Sequence, residues 1–196
     1  MQEKRERWGM HKLPGSGKLF MSGLIMAGGS GKRFGDQLKF MEEISGRPII
    51  KMALEFLFNV SCSIFICTRY DEMEFFQGIK IENEIHFILT EGGGYVRDLR
   101  SSVAMIDKFP LIVLGADSVI LRENYMIKKL AESLVHGKDA VSFFNESGAS
   151  GITIIRRKPG INEALEYENL LLDPGCMMNI NTREDLEKAR KIYCQQ

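Results

Sequence analysis

The sequence predicts an α/β protein, three layers deep, with a mostly parallel central sheet. Three observations predict it. The runs Leu24–Ala27, Ser63–Thr68 and Leu111–Leu114 are of strand length and lack polar alternation, as strands covered on both faces do. Between such runs, apolar residues recur at helical spacing. Strand-like and helix-like segments alternate along the chain, which calls for crossover connections and a Rossmann-like α/β/α arrangement.

The elements follow in order. Gln2 to Lys18 is polar and carries five basic residues without an apolar period, so residues 1–20 are expected to be a flexible extension and residues 21–196 a single domain. Leu24–Ala27 is a buried strand ending in a glycine-rich turn. Arg47 to Asn59 places Ile49, Ile50, Ala53, Leu54, Leu57 and Phe58 at helical spacing. Ser63–Thr68 and Glu84–Leu89 read as strands. Tyr95 to Ile106 reads as a helix with Val96, Leu99, Val103 and Ile106 on its inner face. Leu111–Leu114 is a buried strand, Glu123 to Val135 a helix, and Ala140–Phe144 and Gly151–Arg156 are strand-like. Thr182 opens a final helix, with Thr-x-x-Asp as its capping box. The stretches 137–150 and 159–175 carry no readable period.

Composition narrows the function. Of the 196 residues 44% are hydrophobic and 27% charged, the balance of a globular protein. Twenty-six basic residues against twenty-six acidic ones leave no cationic excess for coating nucleic acid, so no nucleic-acid partner is expected. No apolar run approaches the roughly 20 residues that span a bilayer, and no membrane partner is expected. Cys62 and Cys67 lie in or beside an apolar run and read as small core residues of a protein in a reducing, cytoplasmic compartment. Three histidines without a His/Cys cluster do not suit structural zinc. A homodimer is compatible with this composition.

The most informative stretch runs from Leu24 to Gly35 and on to Lys39. A buried strand delivers Gly28, Gly29 and Gly31 to its carboxyl end, where open α/β sheets bind ligands. Glycines allow backbone N–H groups to turn toward an anion, and Lys32, Arg33 and Lys39 add positive charge, so a phosphate site is expected here. Two familiar phosphate motifs do not fit. Phe34 stands where the dinucleotide fingerprint has its third glycine. At Gly15–Lys18, Leu19 replaces the Ser or Thr that a P-loop needs for magnesium.

Ala27-Gly-Gly-Ser-Gly-Lys-Arg-Phe-Gly35 with downstream Lys39 resembles the A-G-G-x-G-x-R-x-G…K signature of MobA-like nucleotidyltransferases, which have the nucleotide-diphospho-sugar transferase fold. The resemblance implies transfer of a nucleoside monophosphate to a phosphorylated acceptor, with release of pyrophosphate. It implies nucleotide contacts at Leu24, Ala27, Gly28, Gly29, Ser30, Gly31, Lys32, Arg33 and Lys39, with Arg33 and Lys39 catalytic through the charge they place on the phosphates. Relatives commonly carry Glu-Lys or Asp-Lys at the lysine, where this chain has Leu38-Lys39.

Three further segments sit where the same site is expected. Asp117 follows a buried strand, and a carboxylate there suits Mg2+, which takes few protein ligands and bridges to phosphates; a turn cap is the structural alternative. Relatives that guanylylate molybdopterin continue Cys-Asp-x-Pro at this point, whereas this chain reads Ala116-Asp117-Ser118-Val119. Gly92, Gly94, Tyr95, Asp98 and Leu99 are similar to the Gly-x-Gly-Tyr-x-x-Asp-Leu stretch of archaeal adenosylcobinamide-phosphate guanylyltransferases, which implies a second wall of the nucleotide pocket at Gly92, Gly94 and Asp98. Asn179 and Asn181 alternate in a strand-like segment; either reaches metal or acceptor, with Asn181 the expected metal partner of Asp117, or both stabilise a turn.

The reading is therefore GMP transfer from GTP to adenosylcobinamide phosphate, with Mg2+ as cofactor. Molybdopterin guanylylation and cytidylyl or sugar-1-phosphate nucleotidylyl transfer are the alternatives, and a nucleotide-binding regulatory protein is the non-enzymatic one.

Overall fold

Every strand that the apolar runs predict forms, and the order in which they lie side by side positions the site. The computed structural model describes residues 19, 21–28, 38–79, 84–135, 137–146, 148–160 and 163–194. The chain begins with β1 (Ser22–Met26), then a hairpin of β2 (Glu43–Ile44) and β3 (Arg47–Pro48), and α1 (Ile49–Val60). Next come β4 (Ser63–Arg69), the short α2 (Met73–Gln77), β5 (Ile85–Thr90) and α3 (Tyr95–Met105). The second half holds β6 (Leu111–Gly115), β7 (Ser118–Ile120), α4 (Glu123–Val135), β8 (Ala140–Asn145), β9 (Gly148–Ile155), β10 (Tyr167–Leu171), β11 (Met177–Asn179) and α5 (Arg183–Tyr193).

Among the described residues, seven strands form one sheet in the order β10-β8-β9-β6-β1-β4-β5. β9 runs antiparallel to both of its neighbours, and the remaining pairs are parallel. β1 is central, in register with β4 on one side and β6 on the other. Alternate residues of each strand serve opposite layers. Ile25, Ile66, Ile112 and Leu114 pack with residues of α1 and α4, whereas Leu24, Cys67, Leu111 and Val113 pack with Val103 of α3 and Ile106 just beyond it. This double burial is the reason the strand sequences read as continuous apolar runs. α5 packs with Ile44, Ile49 and Val119 in a third cluster through Leu186 and Ala189, and its capping box at Thr182 and Asp185 forms as expected.

Some details differ from the sequence reading. Val96 of α3 is exposed, and Asp98 and Ser102 are buried in its place alongside Val103. The first turn of α3 lies beyond the apolar layer, at the carboxyl edge of the sheet, so its inward positions are polar. Cys67 is buried but Cys62 is exposed. β10 falls in the stretch without a readable period: as an edge strand it leaves Tyr167 and Leu171 exposed. Leu19, assigned to the extension, packs partly buried against the main core; residues 1–18 and 20 lie outside the described residues.

Candidate functional site

The carboxyl ends of β4, β1 and β6 lie next to one another, so Arg69, Gly28 and Gly115 through Asp117 share one edge of the sheet. β5 adds Thr90 and the glycine loop 91–94 at the β4 side. This edge is where open α/β sheets bind ligands.

Asp117 is held from both directions. The Ala116 N–H donates to the carbonyl of Met26 at 3.1 Å, and the Ile180 N–H donates to the carbonyl of Asp117 at 2.9 Å. Gly115 has a steric reason to be glycine: a Cβ there would lie 2.6 Å from Asp117 Oδ1. Any side chain would push the carboxylate away. Ser118 begins β7 opposite Asn179 of β11, and its hydroxyl donates to Asn179 Oδ1 at 3.0 Å.

Lys39 comes from the other end of the glycine-rich segment. It opens a single 3-10 turn, Lys39–Met41, anchored by Phe40, which is buried and stacked on Phe76 with ring centroids 5.6 Å apart. That anchor directs Lys39 across the sheet edge, where its Nζ donates to Asp117 Oδ2. The two side chains are 18% and 22% exposed, so the pair is shielded yet reachable from solvent. Seventy-eight positions separate them in sequence.

The glycine loop forms the next wall. Gly92 and Gly94 adopt φ of 71° and 99°, left-handed values that glycine tolerates and other residues resist. Asp98 turns inward and is buried; its Oδ1 accepts the Gly93 N–H at 3.2 Å, and its backbone carbonyl accepts the Ser102 hydroxyl at 2.8 Å. Asp98 thus shapes the loop. Tyr95 begins α3 beside the site; about half of its surface is exposed, and partial burial, then the negative charge of Asp117, push its hydroxyl up from the ordinary phenol range.

The structure brings Lys39, Asp117, Gly28, Gly92 and Gly94 to one edge. Ala27 is buried at the end of β1, and Leu24 is fully buried lower in the same strand, packed in the core on the α3 side. Gly29, Ser30, Gly31, Lys32 and Arg33 lie outside the described residues. The strand that carries Asn179 ends there, so Asn181 falls in the exposed turn before α5, its N–H donating to Asp185 Oδ2 at 3.0 Å. Sequence reasoning missed Arg69 and Glu72. The available signal was a charged run, Arg69-Tyr-Asp-Glu72, directly after a buried strand.

Residues 23–193 match the family described as the MobA-like NTP transferase domain. The chain belongs to that family. It is a nucleotidyltransferase, and a nucleoside triphosphate is its substrate. It is similar to the adenosylcobinamide-phosphate guanylyltransferase of Methanocaldococcus jannaschii, 27% identical over 88% of this chain and 97% of the relative. Among solved structures it resembles HddC from Yersinia pseudotuberculosis in complex with GMP-PN, with a TM-score of 0.68, 17% identity and coverage of 89% of this chain and all of that one. It also resembles the 4-diphosphocytidyl-2C-methyl-D-erythritol synthase of Anaerococcus prevotii, with a TM-score of 0.66, 13% identity and coverage of 91% and 97%. These neighbours show the nucleotide-diphospho-sugar transferase fold. No helix among the described residues is long and apolar enough to cross a membrane.

Proposed function

We propose that this nucleotidyltransferase moves GMP from GTP to adenosylcobinamide phosphate. The observation that carries a phosphoryl-transfer site is the Lys39–Asp117 pair at the carboxyl edge of the central strands. The cobinamide acceptor is supported by similarity along nearly the whole length to the archaeal guanylyltransferase, and by the Gly92, Gly94, Tyr95 and Asp98 element that the site uses as a wall.

In this reading a phosphate oxygen of the acceptor attacks the α-phosphorus of GTP. The new P–O bond forms in line with the bond to the β-phosphate bridging oxygen, which breaks, and pyrophosphate leaves with that electron pair. A phosphate monoester is largely ionised near pH 7, so no general base is required. Catalysis then rests on positioning and charge neutralisation. Lys39 meets the charge that builds on the phosphates, and Arg33, from the same glycine-rich segment, is assigned the same role.

The donor set at Asp117 fits a magnesium ion. Magnesium characteristically takes one or two carboxylates and completes its shell with water and phosphate oxygens, and Asp117 offers one carboxylate at the sheet edge. Asp117 would hold it through its carboxylate, and the ion would supply further charge neutralisation of the phosphates. Gly115 and the two backbone bonds keep that carboxylate in place.

Pyrophosphate release, measured for GTP, CTP, ATP and UTP with Mg2+, with and without adenosylcobinamide phosphate, tests the assignment. Release that requires both GTP and the acceptor, with a product heavier than the acceptor by one GMP residue, supports it. Preference for CTP, or GTP turnover indifferent to this acceptor, refutes it.

A further inference from the structure

Strand order puts two charged groups on opposite flanks of β1. Asp117 follows β6 on one side, and Arg69 ends β4 on the other. Neighbouring strands lie about 4.8 Å apart, so these flanks are separated by about 10 Å within the sheet. One ribose bridges such a span between an α-phosphate and its base. A nucleotide with its reacting phosphate at Lys39 and Asp117 and its sugar over Gly28 therefore brings its base to Arg69.

Arg69 is shaped for contact there. Its stem crosses both glycine segments: a Cβ built on Gly92 would lie 2.9 Å from its Cδ, and one built on Gly28 would lie 3.8 Å from its Cγ. Gly92 leaves room for this side chain, and Gly28 lies at ordinary van der Waals distance from its stem. Its Nε donates to Asp71 Oδ1 at 2.9 Å, and Nη2 donates to Asp71 Oδ2, so the carboxylate grips one edge of the guanidinium. Beneath it lies Glu72, 2% exposed. Glu72 Oε2 accepts the Thr68 hydroxyl at 3.2 Å, while Oε1 has no hydrogen-bond partner among the described residues and stands 4.0 Å from Arg69 Nη1. A buried carboxylate with a free oxygen under a guanidinium is a counter-charge that keeps the group at the pocket. Asp71 and Glu72 are positioning residues: Asp71 takes the Nε–Nη2 edge, and Nη1, 4.0 Å from Glu72 Oε1, has no hydrogen-bond partner among the described residues.

We propose that Arg69 reads the base, donating from its Nη1–Nη2 edge to the two adjacent acceptors, O6 and N7, of a 6-oxopurine. The proposal rests on the guanylyl-transfer reading and deepens it. Guanine offers both acceptors, and a guanidinium fork matches them bidentately. Adenine keeps N7 but presents an amine donor in place of O6. Pyrimidines present no such pair. A bidentate contact of this kind discriminates by about 5- to 150-fold against the wrong base.

Calorimetric binding of GTP, 7-deaza-GTP, ATP and CTP to the full chain with Mg2+ tests it, on the wild type and on Arg69→Ala and Arg69→Lys. The wild type should bind GTP more tightly than 7-deaza-GTP and than ATP, by factors within that range. Arg69→Ala should bind GTP, 7-deaza-GTP and ATP alike, and Arg69→Lys, which keeps an ammonium donor, should fall between it and the wild type. Equal wild-type affinity for GTP and 7-deaza-GTP overturns the proposal without recourse to any variant, and so does a GTP-over-ATP preference that survives in Arg69→Ala. A wild type that binds CTP most tightly fails differently: it refutes guanylyl transfer itself, and the base assignment with it.

Discussion

Replacing Lys39 with methionine keeps most of the unbranched stem and removes the charge. Among the described residues that charge has one partner, Asp117, and both groups are about four-fifths shielded from water. Two effects follow, and they are separable. In the proposed mechanism Lys39 acts on transition-state charge as one preorganised donor, and loss of such a donor costs about 10²- to 10³-fold in kcat. The native state loses one charge-assisted hydrogen bond, worth about 1.5–3 kcal/mol. At about 2–4 °C per kcal/mol for a domain of this size, the melting temperature should fall by about 3–12 °C. Pyrophosphate release below the melting transition measures the first effect, and thermal unfolding the second. The double variant with Asp117→Ala should be far less impaired than the product of the single losses, since both side chains serve the same phosphates. A folded Lys39→Met enzyme within about tenfold of wild-type turnover would refute the reasoning, because loss of a donor of that class typically costs about 10²- to 10³-fold.

Other expectations follow from the same geometry. Gly115→Ala places a methyl group 2.6 Å from Asp117 Oδ1, and a displacement of the carboxylate on the order of 1 Å should lower kcat by about 10²-fold; turnover of the folded variant at the wild-type rate would show that the carboxylate tolerates displacement. Asp98→Ala removes the acceptor of the Gly93 N–H, so stability should fall by about 1–3 kcal/mol and nucleotide KM should rise; Asp98→Asn, which keeps one acceptor oxygen, should restore most of both. Glu163 is pushed down to about 2, first by hydrogen bonds from Arg157 and then by the Gly160 N–H. Because its folded pKa is depressed, its stabilisation is complete above the ordinary carboxylate value of 4.5 and disappears as pH falls toward about 2. Unfolding midpoints followed through that window should drop less steeply in Arg157→Ala than in the wild type, and parallel acid limbs would count against the Arg157 clamp.

Local sequence carried much of this architecture. The runs around Leu24, Ile66 and Val113 are apolar without alternation because both faces of the sheet are covered, and that burial is written into each strand separately. The Thr182–Asp185 capping box is a contact between residues three apart, so four letters disclose it. Gly28 at the end of β1 and Asp117 after β6 were legible for the same reason: each belongs to a short motif attached to the end of a strand. The inner face of α3 was misread because periodicity assumes an apolar partner along the whole helix, whereas its first turn overhangs the site and turns Asp98 inward. β10, an edge strand with exposed Tyr167 and Leu171, had no clean pattern to show.

From single segments came the elements, their mostly parallel character, and the residue types expected at a phosphate and metal site. Tertiary structure alone decided which of those segments are neighbours. Placing β1 between β4 and β6 is a matter of non-local pairing, and it joins Lys39 to Asp117 across 78 positions while setting Arg69 on the opposite flank. It also made a counter-charge of Glu72, an unremarked acidic residue in a charged run, by burying it beneath a guanidinium. Periodicity records which face of an element is covered; which groups meet across a sheet edge depends on strand order, and strand order is set by packing the whole chain at once.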